Sequence, residues 1–126
     1  MLPQTHTMLA TCLIVLHDPL IGMDLSTTVA DARPDLKVLW VRTPDEALQL
    51  LAADARIATA FIDVAPQAFA TTALFARLAA AGAALVFLGP DPVAESVLQM
   101  SNRIRVLTYP FAMKDVLGMI ADLSMK

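Results

Sequence analysis

One cysteine, four glycines, one tryptophan and one tyrosine occur among 126 residues. A lone cysteine permits neither a disulfide framework nor a cysteine-based metal centre, and Cys12 sits inside an apolar run as a small hydrophobe would. The glycines, at 22, 82, 89 and 118, never fall in the G-x-G-x-x-G spacing of a dinucleotide loop. Charge is scarce too: 17% of residues are charged, against about a quarter in an ordinary globular domain. Nine basic and twelve acidic residues give a net charge of −3, with no run of either sign. Nothing here can track a phosphate backbone, so nucleic acid is excluded as an expected partner. Long apolar runs are missing as well. Leu78 to Pro90 spans 13 residues and is interrupted by Gly82 and Gly89-Pro90, whereas crossing a bilayer takes about 20. The opening "MLPQTHTMLATCLIVLH" lacks the Lys or Arg of a signal peptide and runs straight into a strand. A cytoplasmic protein with no membrane association is expected.

What is present is apolar surface arranged in two alternating periods. A chain of this length suits one domain, which buries roughly two-thirds of its unfolded surface. Five β-type runs stand out: "CLIVLH" (12–17), "KVLWVR" (37–42), "ATAFID" (58–63), "ALVFLG" (84–89) and "IRVLT" (104–108). Helical spacing falls between them. Ile21, Leu25, Val29 and Ala32 share one helix face. Thr43-Pro44-Asp45-Glu46 is a capping box with proline at the first helical position. Gln67 to Ala81 reads as one Ala-rich helix ending at Gly82, 93–100 as a short weak helix, and Met113, Val116, Leu117, Ile120 and Leu123 as a final stripe. The domain is expected over 11–124, after a flexible segment 1–10 in which His6 carries no signal. Trp40 reads as core. The seven methionines read mainly as gap fillers, with Met100, Met113 and Met119 available to an adaptable contact surface.

Continuous apolar strands alternating with helices predict an α/β three-layer sandwich around a five-stranded parallel sheet. In such a sheet the functional crevice lies at the C-terminal strand ends. Residues 16–19, 63–66, 89–91 and 108–110 should converge there, with Asp63 at the centre. A phosphate-cradling turn after the first strand is ruled out, because Pro19 in "HDPLIG" removes a backbone donor. The D-x-H-x-x-G loop of cobalamin-binding domains fails because Val15 stands where its aspartate belongs.

Four segments in order match something else. "LIVLHDPLIGMDL" (13–25) resembles the opening of response-regulator receiver domains, the CheY-like family, in which an acidic pair follows the first strand. "AFIDV" (60–64) resembles the segment around the receiver phosphoacceptor. "LVFLG" (85–89) resembles the fourth strand, and "RVLTYPFAMKDVLGMI" (105–120) the fifth strand and last helix. The resemblance spans residues 11–124 and implies the flavodoxin-like strand order 2-1-3-4-5. It also implies a phosphoacceptor role for Asp63.

The departures from the family pattern are as informative. Receivers hold Mg²⁺ with the phosphoacceptor and the acidic pair, because Mg²⁺ takes oxygen ligands in octahedral array. Aligned on "PLIGMDL", the pair positions hold Leu16 and His17, with Asp18 next; shifted by one, they hold His17 and Asp18. Gly89 replaces the hydroxyl residue that bonds the phosphoryl group, Tyr109 replaces the lysine, and Val106 stands at the switch aromatic. Phosphoryl transfer depends mostly on positioning and charge neutralisation, so a degenerate pseudo-receiver is expected. It would hold no metal, with Asp18 and Asp63 the best available ligands, and would not act as an enzyme beyond slow autophosphorylation. The bland alternatives are a solvated acid at Asp63, a turn acid at Asp18 and a polar filler at His17. The resemblance further implies a cis Tyr109-Pro110 bond, with the Tyr109 ring across the crevice near Asp63 or Gly89. Protein partners are expected: a sensor kinase, a phosphotransfer or effector protein, or a second copy through Val93–Asn102 and Ile104–Lys126. The rivals are a phosphorylation-competent regulator using Asp63, Asp18 and a water-rich Mg²⁺, and a small-ligand-binding sandwich.

Overall fold

The computed structural model describes residues 10–51, 55–64, 66–69, 72–89, 104–108 and 112–124. Strands β1 (Ala10–Val15), β2 (Leu36–Val41), β3 (Ile57–Ile62), β4 (Ala84–Gly89) and β5 (Ile104–Thr108) form one sheet. Its order is β2-β1-β3-β4-β5, and every pairing is parallel. The strand order predicted from the resemblance is the one observed. A register irregularity between Thr11 and Cys12 interrupts the β1–β3 ladder near its start.

Period-two alternation sends successive side chains to opposite faces, and two cores result. Leu13, Val15, Ala60, Ile62, Leu85 and Phe87 face one way, under α2 (Pro44–Leu50), α3 (Pro66–Phe69) and α4 (Ala73–Ala81). Cys12, Ile14, Leu16, Phe61, Val86 and Leu88 face the other way, under α1 (Pro19–Ala32) and α5 (Met113–Ser124). In the first core Phe69 meets Phe75 and Phe87 edge-on, with centroids 5.9 Å apart in both pairs, the geometry that the ring quadrupole favours.

Capping explains where the helices begin. Asp18 caps α1 and Pro19 opens it. Thr43 accepts from the Glu46 N–H, while the Glu46 carboxylate accepts from the Arg42 N–H, one residue earlier than in the usual box. The single helix expected over 67–81 is divided. The Thr72 hydroxyl donates to the Phe69 carbonyl at 2.7 Å and accepts from the Phe75 N–H at 3.1 Å. The hydroxyl thus ends α3 and starts α4, a local competition with the helical ladder that apolar periodicity does not reveal. Gly82 closes α4 in the left-handed conformation, φ 71°. On α1, Leu25 and Val29 are buried as expected, but Ala32 is exposed. Among the described residues no helix is long and apolar enough to cross a membrane. The helix expected over 93–100, and the segment 1–9, lie outside the described residues.

Candidate functional site

Parallel strands bring their C-terminal ends to one edge of the sheet, so the residues after β1 and β3 and the end of β4 become neighbours. Asp63 leaves β3 there. Its N–H donates to the Val15 carbonyl at 2.9 Å, tying it to the end of β1. The side chain is half-buried, and its carboxyl is held above the usual range. The first cause is loss of water on burial; the Asp18 charge adds to it, and His17 partly opposes both. Asp63 is therefore set beside a second carboxylate in a poorly solvated corner.

Asp18 serves its own helix. Its Oδ1 accepts from the Leu20 N–H at 2.9 Å and the Ile21 N–H at 3.3 Å, satisfying two donors that would otherwise be orphaned at the start of α1. His17 is exposed. Leu16 is 0% exposed and packs in the α1-side core with Leu25, Val29 and Phe61. Its N–H donates to the Val41 carbonyl at 3.0 Å, and its own carbonyl accepts the Trp40 indole N–H at 3.0 Å. Gly89, at the tip of β4 and in register with Thr108, has open space where a Cβ would stand. Val106 is half-buried on β5. Tyr109, Pro110 and Phe111 lie outside the described residues, so the expected cis bond and ring placement are not addressed.

Of the residues singled out in the sequence, the structure brings Asp63, Asp18 and His17 close enough to interact electrically. Leu16 it turns into the core. Among the described residues, no group of three His, Cys, Asp or Glu side chains is placed to hold a metal ion.

Trp40 was expected in the core and is instead half-buried, packed against that core from the edge strand β2. It bridges β2 to the loop after β1. Arg42, two residues on, reaches the His17 carbonyl at 3.4 Å. A Cβ added at Gly22 would fall within the Trp40 indole, on Cε2, Cζ2 and Nε1. A glycine inside an otherwise regular helical stretch was the available signal, since it marks a close approach by something outside the helix. Cys12 is fully buried, and burial pushes its thiol up to about 12, only partly offset by Arg33. The thiolate is thus unavailable, and the thiol acts as core.

No family model matches the chain, and no curated protein matches it. Solved structures do. A response regulator from Thermotoga maritima superposes with a TM-score of 0.66 at 15% identity, over 93% of this chain and 98% of that one. Chemotaxis protein CheY4 of Vibrio cholerae gives 0.67 at 19% identity, over 91% and 98%. A response regulator receiver protein from Sinorhizobium medicae gives 0.68 at 20% identity, over 90% and 93%. At these identities the likeness is one of fold, and the fold is that of receiver structures along almost their whole length.

Proposed function

We propose that this chain is a receiver-like signalling module of a two-component or phosphorelay system, working through protein contacts with Mg²⁺-dependent phosphorylation impaired or absent. The observation that carries this reading is Leu16. In the register anchored on "PLIGMDL" it takes the first position of the acidic pair, and its side chain is sealed in the core with both its backbone groups engaged. The remaining donors are Asp63 and Asp18, and Asp18 has Oδ1 committed to two helix N–H groups. Mg²⁺ is ordinarily held by one or two carboxylates and several waters in octahedral array, and here one of the two available carboxylates is already engaged by its helix, so the set is a poor fit to that shell. Without a metal, the charge developing on a transferred phosphoryl group would go largely unneutralised. Partners of the expected kind are a sensor kinase, a phosphotransfer protein or an effector, with a second copy of the chain as a further candidate through Val93–Asn102 and Ile104–Lys126.

One observation favours the competent alternative. Asp63 and Asp18 interact electrically, and two nearby carboxylates are a partial cation site. A titration separates the two. Beryllofluoride with Mg²⁺, followed by amide NMR, should produce no saturable shift at Asp63 and its neighbours. A saturable shift that disappears in Asp63→Asn would overturn the proposal.

A further inference from the structure

Leu16 is held to β2 through two independent bonds, one to the Val41 backbone and one to the Trp40 side chain. The indole that makes the second lies against the backbone of Gly22, in the second turn of α1. One ring therefore touches both ends of the connection that carries His17 and Asp18. Arg42, the residue after that strand, adds a longer contact to the His17 carbonyl.

From this geometry we propose that Trp40 is a positioning residue: it locks the loop between β1 and α1 in the conformation where Asp18 spends Oδ1 on capping its own helix beside Asp63. The idea rests on the reading of that crevice as a site that does not assemble around Mg²⁺. It adds a cause outside the crevice. With Oδ1 given to two helix N–H groups, Asp18 can turn fully toward a cation at Asp63 only by giving up its cap, and the loop that holds the cap in place is pinned at Leu16 on one side and Gly22 on the other. The Gly22 N–H donates to the Asp18 carbonyl at 2.9 Å, so movement of Asp18 also disturbs the first turn of the helix that Trp40 covers.

The test is hydrogen exchange and Mg²⁺ titration, both read by NMR, on the whole chain and on Trp40→Phe, which keeps an aromatic ring but deletes the donor. In the unaltered chain the indole N–H should exchange slowly. In Trp40→Phe the amides of Leu16, Leu20, Ile21 and Gly22 should exchange several-fold faster, while those of Phe61 and Val86 stay unchanged. Magnesium chloride should then shift the Asp63 and Asp18 signals more than in the parent. Fast indole exchange in the parent would overturn the lock. So would uniform acceleration across β3 and β4 in the variant, which would make Trp40 a packing residue only. If Trp40→Phe fails to fold, the parent's indole exchange and the same amides in Gly22→Ala, where the added methyl displaces the ring, decide the matter. Tight Asp63-dependent Mg²⁺ binding by the parent, with slow indole exchange intact, would instead overturn the functional reading and leave the lock standing.

Discussion

Replacing Gly22 by alanine places a methyl group inside the Trp40 indole, and the two cannot share that space. Overpacking of this kind costs about 1–3 kcal/mol in well-packed interiors. Alanine in a helix interior returns about 1 kcal/mol relative to glycine, so the net loss should be about 1 kcal/mol. For a chain of this size that lowers the melting temperature by roughly 4 °C. In a Trp40→Leu background the obstacle is gone and only the helical gain remains, so the same Gly22→Ala change should stabilise by up to about 1 kcal/mol. The sign reverses, and the coupling between the two positions is about 2 kcal/mol, within the range seen for residues in contact. Urea unfolding followed by circular dichroism at the helical band gives all four corners of the cycle, because it does not depend on the tryptophan. Trp40 is the only tryptophan, so its emission reports separately on ring displacement and should move to the red in Gly22→Ala. A Gly22→Ala protein as stable as the parent, with unchanged emission, would refute the packing argument. Equal effects in both backgrounds would do the same.

Asp63→Asn should stabilise the protein at neutral pH, because the folded-state carboxyl is raised by burial and by Asp18. The folded state then holds the proton more tightly than the unfolded one, so stability falls as pH rises from the ordinary aspartate range through the raised value. Below that range the advantage of asparagine should vanish, and a pH series of urea midpoints checks both limbs. Asp18→Ala should cost about 1 kcal/mol through loss of the cap, while Asp18→Asn should keep most of that stability. Both should bring the Asp63 titration, followed by carboxyl NMR, closer to the usual range. Leu16→Asp should cost about 3–5 kcal/mol, the scale of an uncompensated buried charge, with no gain of Mg²⁺ binding; a well-folded variant that binds Mg²⁺ through Asp63 would show that position 16 can turn toward the crevice.

The sheet was legible because each strand is a mainly apolar run with two faces. Leu13 and Val15 in one core, with Cys12, Ile14 and Leu16 in the other, are the direct outcome of an unbroken apolar run in a sheet covered on both sides. The break at Thr72 was not legible, since its hydroxyl acts on Phe69 and Phe75 without disturbing the apolar spacing. Asp63 could be placed at the strand tip from sequence, but its surroundings could not. Whether Asp18 faces the crevice or its own helix depends on a rotation about two bonds, and the pattern "HDPLIG" permits either. Trp40 packs against the core as expected, but its partial exposure was not legible. Aromatic content in a strand points to burial, yet the indole N–H needs an acceptor, and here it finds one in the Leu16 carbonyl of the neighbouring loop.

These placements share one electrostatic logic. Several carboxylates gathered at the ends of parallel strands repel one another, and a cation is the usual way such a cluster is held together. At position 16 this chain carries an apolar side chain, which packs against Leu25, Val29 and Phe61 and cannot contribute to that repulsion. At position 18 it retains an acid but turns it toward backbone donors that an anion satisfies. Asp63 keeps some of that repulsion, visible as the upward push on its carboxyl from burial and from Asp18. The corner is thus held by packing, by a helix cap and by an indole, each of which acts without a metal.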